Sequence, residues 1–300
     1  MSRPFDSVIE DVAQRWAYWQ PDVPYELGYD TLPNGQIERR RAGRHRKHIK
    51  LAEFNPAGKP FSLDNEAQDA ALFAALAIKL ASLQKLLWAE KRHKLLVVLQ
   101  GPDTAGKEAV MRSVFGPLGP EGVRLVDWQR PTPAERDRDY LWRIHRQVPV
   151  PGEIAVFKRG HYADLLAPVV NGWITPTQHH QRIGHINDFE RMLSHTGTVV
   201  IKLMLHISED EQDKRRQALL EDPELQSKFG LLEPKPHKPW DAYQQAYEVM
   251  LSATHTPWAP WTIVPSNSAA HRNLMVATVL HQVLRNLDLG NTEAAPQKPG

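Results

Sequence analysis

Apolar positions along the chain follow two alternating rhythms. From Glu66 to His93 the stretch contains no Pro or Gly, and Leu72, Leu76, Leu80, Leu83 and Leu87 recur at helical spacing, which predicts one long amphipathic helix. Leu95 to Leu99 then forms an unbroken apolar run of strand length, the pattern of a strand covered on both faces. Val123 to Trp128, Ile154 to Phe157, Thr198 to His206 and Trp261 to Val264 repeat that pattern. Between them lie helical patterns over Ala134 to Gln147, up to His195, over Glu209 to Glu221 and over Trp240 to Ser252, with a closing helix from Ala269 to Leu287. Five strands alternating with helices predict a doubly wound α/β fold, three layers around a parallel sheet.

The flanks differ from this body, residues 66–289. Residues 1–65 carry Pro21, Pro24 and Pro33, the turn pair Asn34-Gly35, and a basic run with Arg39, Arg40, Arg41, Arg44, Arg46, Lys47 and Lys50. This extension suits either contact with a polyanion or simple solvation. Pro223 to Pro239 holds four prolines and Gly230, a loop expected to belong to a lid over about residues 209–240. Residues 290–300 are expected to be a disordered tail.

Composition removes several chemistries. The chain has no cysteine, so disulfides, thiolate metal sites and Cys nucleophiles are excluded. Its 37 basic and 35 acidic residues balance to +2, which argues against a specific nucleic-acid partner. The start MSRPFDSVIEDVAQRW lacks an apolar signal core, and no window of about 18 uncharged apolar residues is expected. The expectation is a cytoplasmic protein without a membrane partner.

Gly101-Pro-Asp-Thr-Ala-Gly106-Lys107 follows the Leu95 strand and opens a helical pattern. Glycines at that position let backbone N–H groups turn around phosphate oxygens, and Lys107 can reach the terminal phosphates. Gly101, Thr104, Ala105, Gly106 and Lys107 are therefore candidate phosphate-binding residues. Glu108 stands where such loops normally offer a Ser or Thr hydroxyl to Mg²⁺, leaving Asp103 as a candidate ligand directly or through water.

This loop resembles that of the polyphosphate kinase 2 family, of the form G-x-D-x-x-G-K. The blocks YLWRIHRQVP, GEIAVFKRGHYADLL, INDFERML, KLMLHISEDEQ, WDAYQQAYEVML and WAPWTIVPSN are similar to that family in the same order, closest to its class III branch. The resemblance implies a P-loop kinase fold with a helical lid. It implies Mg²⁺-dependent phosphoryl transfer between inorganic polyphosphate and AMP, ADP or ATP, in a homo-oligomer, dimer or tetramer. Position by position it makes Asp103, Lys107, Arg159 and Asp164 catalytic, with Asp103 and Asp164 on the metal. Arg182, Lys214, Arg215, Arg216 and Lys228 join the phosphate- and nucleotide-binding set. His161 and Tyr162 match the same segment, with His161 structural.

Three positions depart from the family pattern: Lys158 for Asp or Asn, Ala163 for Glu, and Val169 for Arg. They carry an alternative, a member that binds polyphosphate or nucleotide as a regulatory or structural protein without turnover. Lys158 paired to Asp103 or Asp164 would favour that alternative, whereas catalysis requires the two aspartates to approach one hydrated Mg²⁺. An ATP-dependent kinase of a small metabolite ranks last, because of Glu108 and the family-like blocks outside the loop.

Overall fold

The five apolar runs become one parallel sheet in a computed structural model that describes residues 48–63, 65–221 and 240–290, together with the backbone of two short antiparallel strands, β1 (Tyr29–Thr31) and β2 (Ile37–Arg39). The sheet strands are β3 (Lys94–Gln100), β4 (Val123–Asp127), β5 (Ile154–Lys158), β6 (Thr198–His206) and β7 (Trp261–Pro265). Their order is β4-β5-β3-β6-β7. The first sheet strand in the chain is thus central, with later strands added to both sides. The C-terminal end of β3 is consequently a topological switch point, where open α/β sheets place ligand sites.

Alternation along β3 explains the layers. Leu95, Val97 and Leu99 face one core with Leu72, Leu76, Leu80 and Leu87 of α1 (Glu66–Glu90), while Leu96 and Val98 face a second. Asn65 Oδ1 caps α1 by accepting from the N–H groups of Ala67 and Gln68, and Lys91 ends it at φ 52°. α1 is long and apolar enough, by length and composition, to cross a membrane, although Lys79 and Lys85 interrupt it and no window of 18 residues is free of charge. Its alanines and leucines dilute the few lysines, and its Leu72–Leu87 stripe is buried in the protein core.

The short α2 (Lys107–Val110) continues into a π-helical turn, Met111–Phe115. The continuous helix expected over Ala134 to Gln147 is two pieces, α3 (Pro133–Arg136) and α4 (Trp142–His145). Asp139 Oδ1 accepts from the N–H of Leu141 at 2.9 Å, a local bond that competes with helix continuation. The second core is closed by α5 (Ala163–Val170), α6 (Pro176–His195) and α8 (Trp240–Thr254). Before α8 comes α7 (Glu209–Glu221), which has no buried residue; last comes α9 (Ala269–Arg285), packed on α1.

Residues 48–63 are fastened to this body. Ile49 N–H donates to Ser252 Oγ, Leu51 N–H to Glu248 Oε1 and Phe61 N–H to His271 Nε2, at 2.8 to 3.0 Å. The side chains of the basic run up to Lys47, the loop 223–239 with Lys228, and the tail beyond 290 lie outside the described residues.

Candidate active site

Beyond β3 the chain turns through Gly101 (φ 142°), Thr104 (φ 63°) and Gly106 (φ 101°). Two glycines are sterically required here. A Cβ on Gly101 would lie 2.5 Å from the Leu205 carbonyl, and one on Gly106 would lie 1.9 Å from the Arg272 guanidinium.

Every carbonyl from Gly101 to Ala105 is held by a side-chain donor. Lys107 Nζ donates to Gly101 O and Pro102 O, each at 2.6 Å. Gln212 Nε2 donates to Asp103 O at 2.9 Å, Arg215 Nη1 to Thr104 O at 3.1 Å and Arg272 Nη1 to Ala105 O at 3.2 Å. Because each trans peptide is planar, its N–H lies opposite its C=O. The donors thereby turn the N–H groups of Asp103, Thr104 and Gly106 the other way, the polarity an anion needs. Burial, with Arg215 adding like charge, brings the Arg272 pKa down to about 10; it remains a cation at neutral pH.

Arg159 follows β5 with φ 78°, a backbone geometry rarely adopted outside glycine. Three contacts hold it. Its N–H donates to Leu99 O at 2.9 Å, its carbonyl accepts from the Gln100 side-chain amide, and its Nη2 donates to Asp103 Oδ1 at 2.7 Å. The Arg159–Asp103 pair, with 46% and 48% of the side chains exposed, borders a cavity of about 110 Å³ that also touches Ala163, Gln212, Tyr243 and Tyr247. Burial, with Asp103 adding to it, pushes the Tyr247 hydroxyl far up, so it stays protonated.

Behind this turn lies a polar network with no exposed side chain. Glu190 Oε1 accepts from Tyr162 OH at 2.6 Å and pairs with His161 Nε2 at 2.9 Å; Lys202 Nζ donates to Glu190 Oε2 at 2.7 Å, Tyr162 OH at 2.9 Å and Thr254 O at 2.6 Å. Burial alone would raise the Glu190 carboxyl, but Lys202 and His161 more than offset it and hold it below its ordinary value. Burial pushes Tyr162 up, reinforced by Glu190, and pulls Lys202 down against the same carboxylate. His161 is thus structural, its Nε2 held by the buried Glu190 carboxylate.

The structure groups some expected residues and separates others. Gly101, Thr104, Ala105, Gly106, Lys107, Asp103 and Arg159 converge at the loop. Asp164 does not line the Asp103 cavity. Its carboxylate lies 3.8 Å from Arg143 Nη2, and burial raises it against the pull of Arg143, Arg182 and His161. Arg182 Nη1 donates to the Asp164 carbonyl at 2.8 Å. Arg215 is engaged by backbone, holding Thr104 O, Ser266 O and Asn267 O together with Glu211. Lys214 and Arg216 are exposed on α7.

The Lys158 ammonium pairs with two other carboxylates, lying 2.8 Å from Glu108 Oε1 and 2.6 Å from Asp127 Oδ2. These partners are not the aspartates whose pairing with Lys158 would have favoured a binding-only protein, but of the two aspartates that catalysis was expected to bring to one metal only Asp103 lines the cavity. As for resident Mg²⁺, Asp103, Glu108 and Asp127 are each already paired to a cation of the chain at 2.6 to 2.8 Å, while buried Asp164 Oδ2 has only the Arg143 guanidinium at 3.8 Å and no hydrogen-bond partner. No group of three or more potential ligands occurs among the described residues. These residues do not fit a metal held by the protein alone.

Known proteins resemble this chain over most of its length. The sequence profile of the family Polyphosphate kinase 2 matches residues 62–292. An AMP/ADP-polyphosphate phosphotransferase of Meiothermus ruber is 43% identical over 260 residues, covering 86% of this chain and 92% of that protein. An ADP-polyphosphate phosphotransferase of Rhodopseudomonas palustris is 33% identical, covering 73% and 80%. The crystal structure of Polyphosphate Kinase 2 from Arthrobacter aurescens TC1 superposes with a TM-score of 0.77 at 35% identity, covering 92% of this chain and 96% of that one.

Proposed function

We propose that this chain, which belongs to the polyphosphate kinase 2 family, transfers a terminal phosphoryl group between inorganic polyphosphate and the adenine nucleotides AMP and ADP. One observation carries the reading: a loop whose five carbonyls are clasped by donors, facing Arg159 across the Asp103 carboxylate.

In the direction of nucleotide synthesis, an oxygen of the acceptor's terminal phosphate bonds to the end phosphorus of polyphosphate. The bond from that phosphorus to its bridging oxygen breaks, and the chain leaves one phosphate shorter. Such transfer needs alignment and charge neutralisation more than covalent participation by the protein. The loop N–H groups and Lys107 bind the phosphate chain. Lys107 now holds two carbonyls of its own loop; an incoming phosphate oxygen competes for the same ammonium. Arg159 neutralises the transferred group, and Asp103 orients the accepting phosphate. Any Mg²⁺ would be supplied with polyphosphate and nucleotide as their counter-ion and would neutralise phosphate charge there.

The test is transfer by purified protein given long-chain polyphosphate, Mg²⁺ and either AMP or ADP, with products resolved by chromatography. ADP and ATP are expected from the wild type, with a loss of about 10² or more in Lys107→Ala. Absence of transfer by folded wild-type protein, or equal rates in the variant, would sink the proposal.

A further inference from the structure

The C-terminal ends of β4 and β5 put Asp127 and Lys158 side by side in register. Glu108, next to Lys107 at the start of α2, completes the group. The Lys158 ammonium touches one oxygen of each carboxylate, at 2.6 and 2.8 Å, with 13% of its side chain exposed against 44% for Asp127 and 43% for Glu108. A nearly buried cation is thus bracketed by two acidic groups that come from different elements.

Two carboxylate oxygens around one cation are also what a hard divalent ion collects, completing its shell with waters at about 2.1 Å. Here the position is filled covalently, by a side chain. An ammonium and a divalent ion cannot share it, because two like charges would then lie within a few ångströms of each other. The loop's own carboxylate, Asp103, is engaged by Arg159 at 2.7 Å.

We propose that Lys158 is a tethered cation standing in a divalent-ion position between Glu108 and Asp127, so that the protein holds no such ion by itself and acquires one only with bound phosphate. The arrangement supplies fixed positive charge beside the loop whatever the metal concentration. The role assigned to incoming phosphate rests on the function proposed above; the claim about the empty-handed protein does not.

Mn²⁺, which favours the same oxygen ligands as Mg²⁺, allows a direct test by electron paramagnetic resonance of free Mn²⁺ in titrations of the intact chain. Wild-type protein without phosphate is expected to leave the free-ion signal undiminished. Lys158→Met should take up about one Mn²⁺ per chain, at least tenfold more tightly than wild type, and gain thermal stability with Mn²⁺. Lys158→Arg, which keeps a cation, should behave as wild type, and Asp127→Asn in the Lys158→Met background should abolish the new site. Stoichiometric Mn²⁺ binding by phosphate-free wild type would overturn the inference, as would a folded Lys158→Met no better than wild type. The wild-type titration decides independently of whether the variants fold. Added tripolyphosphate separates the two readings: failure to bring Mn²⁺ to wild-type protein counts against the phosphate-binding function, whereas Mn²⁺ bound before its addition counts against the role of Lys158.

Discussion

Lys202→Met removes the ammonium from the network behind the Arg159 turn while retaining an unbranched side chain of similar length. The surroundings set the magnitude. Glu190 has no exposed side-chain surface, and Lys202 Nζ is its partner at Oε2, at 2.7 Å. Without it, His161 and Tyr162 still reach Oε1, but a buried carboxylate loses its countercharge and Thr254 O loses a donor. Breaking one side of a buried pair costs about 3–5 kcal/mol, a fall of about 10² to 10⁴ in the folding equilibrium. Lys202 also lies 5.0 Å from the Trp261 ring and 5.5 Å from that of Tyr162, contacts that methionine partly keeps. Removing the charge on both sides, with Glu190→Leu added, should recover part of the loss, because no unpaired ion remains. Urea unfolding followed by circular dichroism at neutral pH measures both variants on the same footing. A single variant within about 1 kcal/mol of wild type, or a double variant less stable than the single by the full second loss, would refute the assignment of the network as an ion pair that needs both members.

Two further perturbations follow from the same geometry. Gly106→Ala forces a Cβ to 1.9 Å from the Arg272 guanidinium at φ 101°; strain of about 1–3 kcal/mol and displacement of the Ala105 clasp should lower the thermal midpoint by about 5 °C or more and transfer by more than tenfold, and an unchanged midpoint would count against the close packing. His206, His271 and His281 are each brought by burial to about 4, so the unfolded chain binds protons that the fold refuses between about pH 4 and 6.5. Stability should therefore rise with pH across that window and flatten above it; a flat profile in equilibrium unfolding at pH 5 and 7 would show that these rings titrate normally.

How much of this was legible in the chain depends on whether neighbours in sequence or neighbours in space decide it. The sheet strands announce themselves because both faces are buried, so an unbroken run such as Leu95 to Leu99 suffices. The phosphate loop is equally local: two glycines, a lysine and a preceding strand. The break between α3 and α4 is a contest between helix propensity and the Asp139 side-chain bond, which binary patterning does not register. The partners of Lys158 are set by strand register and by the start of α2, two facts no spacing reveals. Arg215 was expected to bind phosphate, yet it holds backbone carbonyls of residues over 50 positions away. One clue was in view: Lys202 interrupts the apolar run TVVIKLMLH, and a charge there demands a buried partner.

α7 touches the body of the protein without burying a side chain. Gln212 and Arg215 moor it, and both end on the phosphate loop. The relation is reciprocal: whatever energy the helix contributes to the shape of the loop, the loop returns as a bias on where the helix rests. Thermodynamic linkage then requires that an anion preferring the clasped loop also favour the docked helix, each by the same factor as the other. Two side-chain bonds thus join helix and loop across about 110 residues of chain.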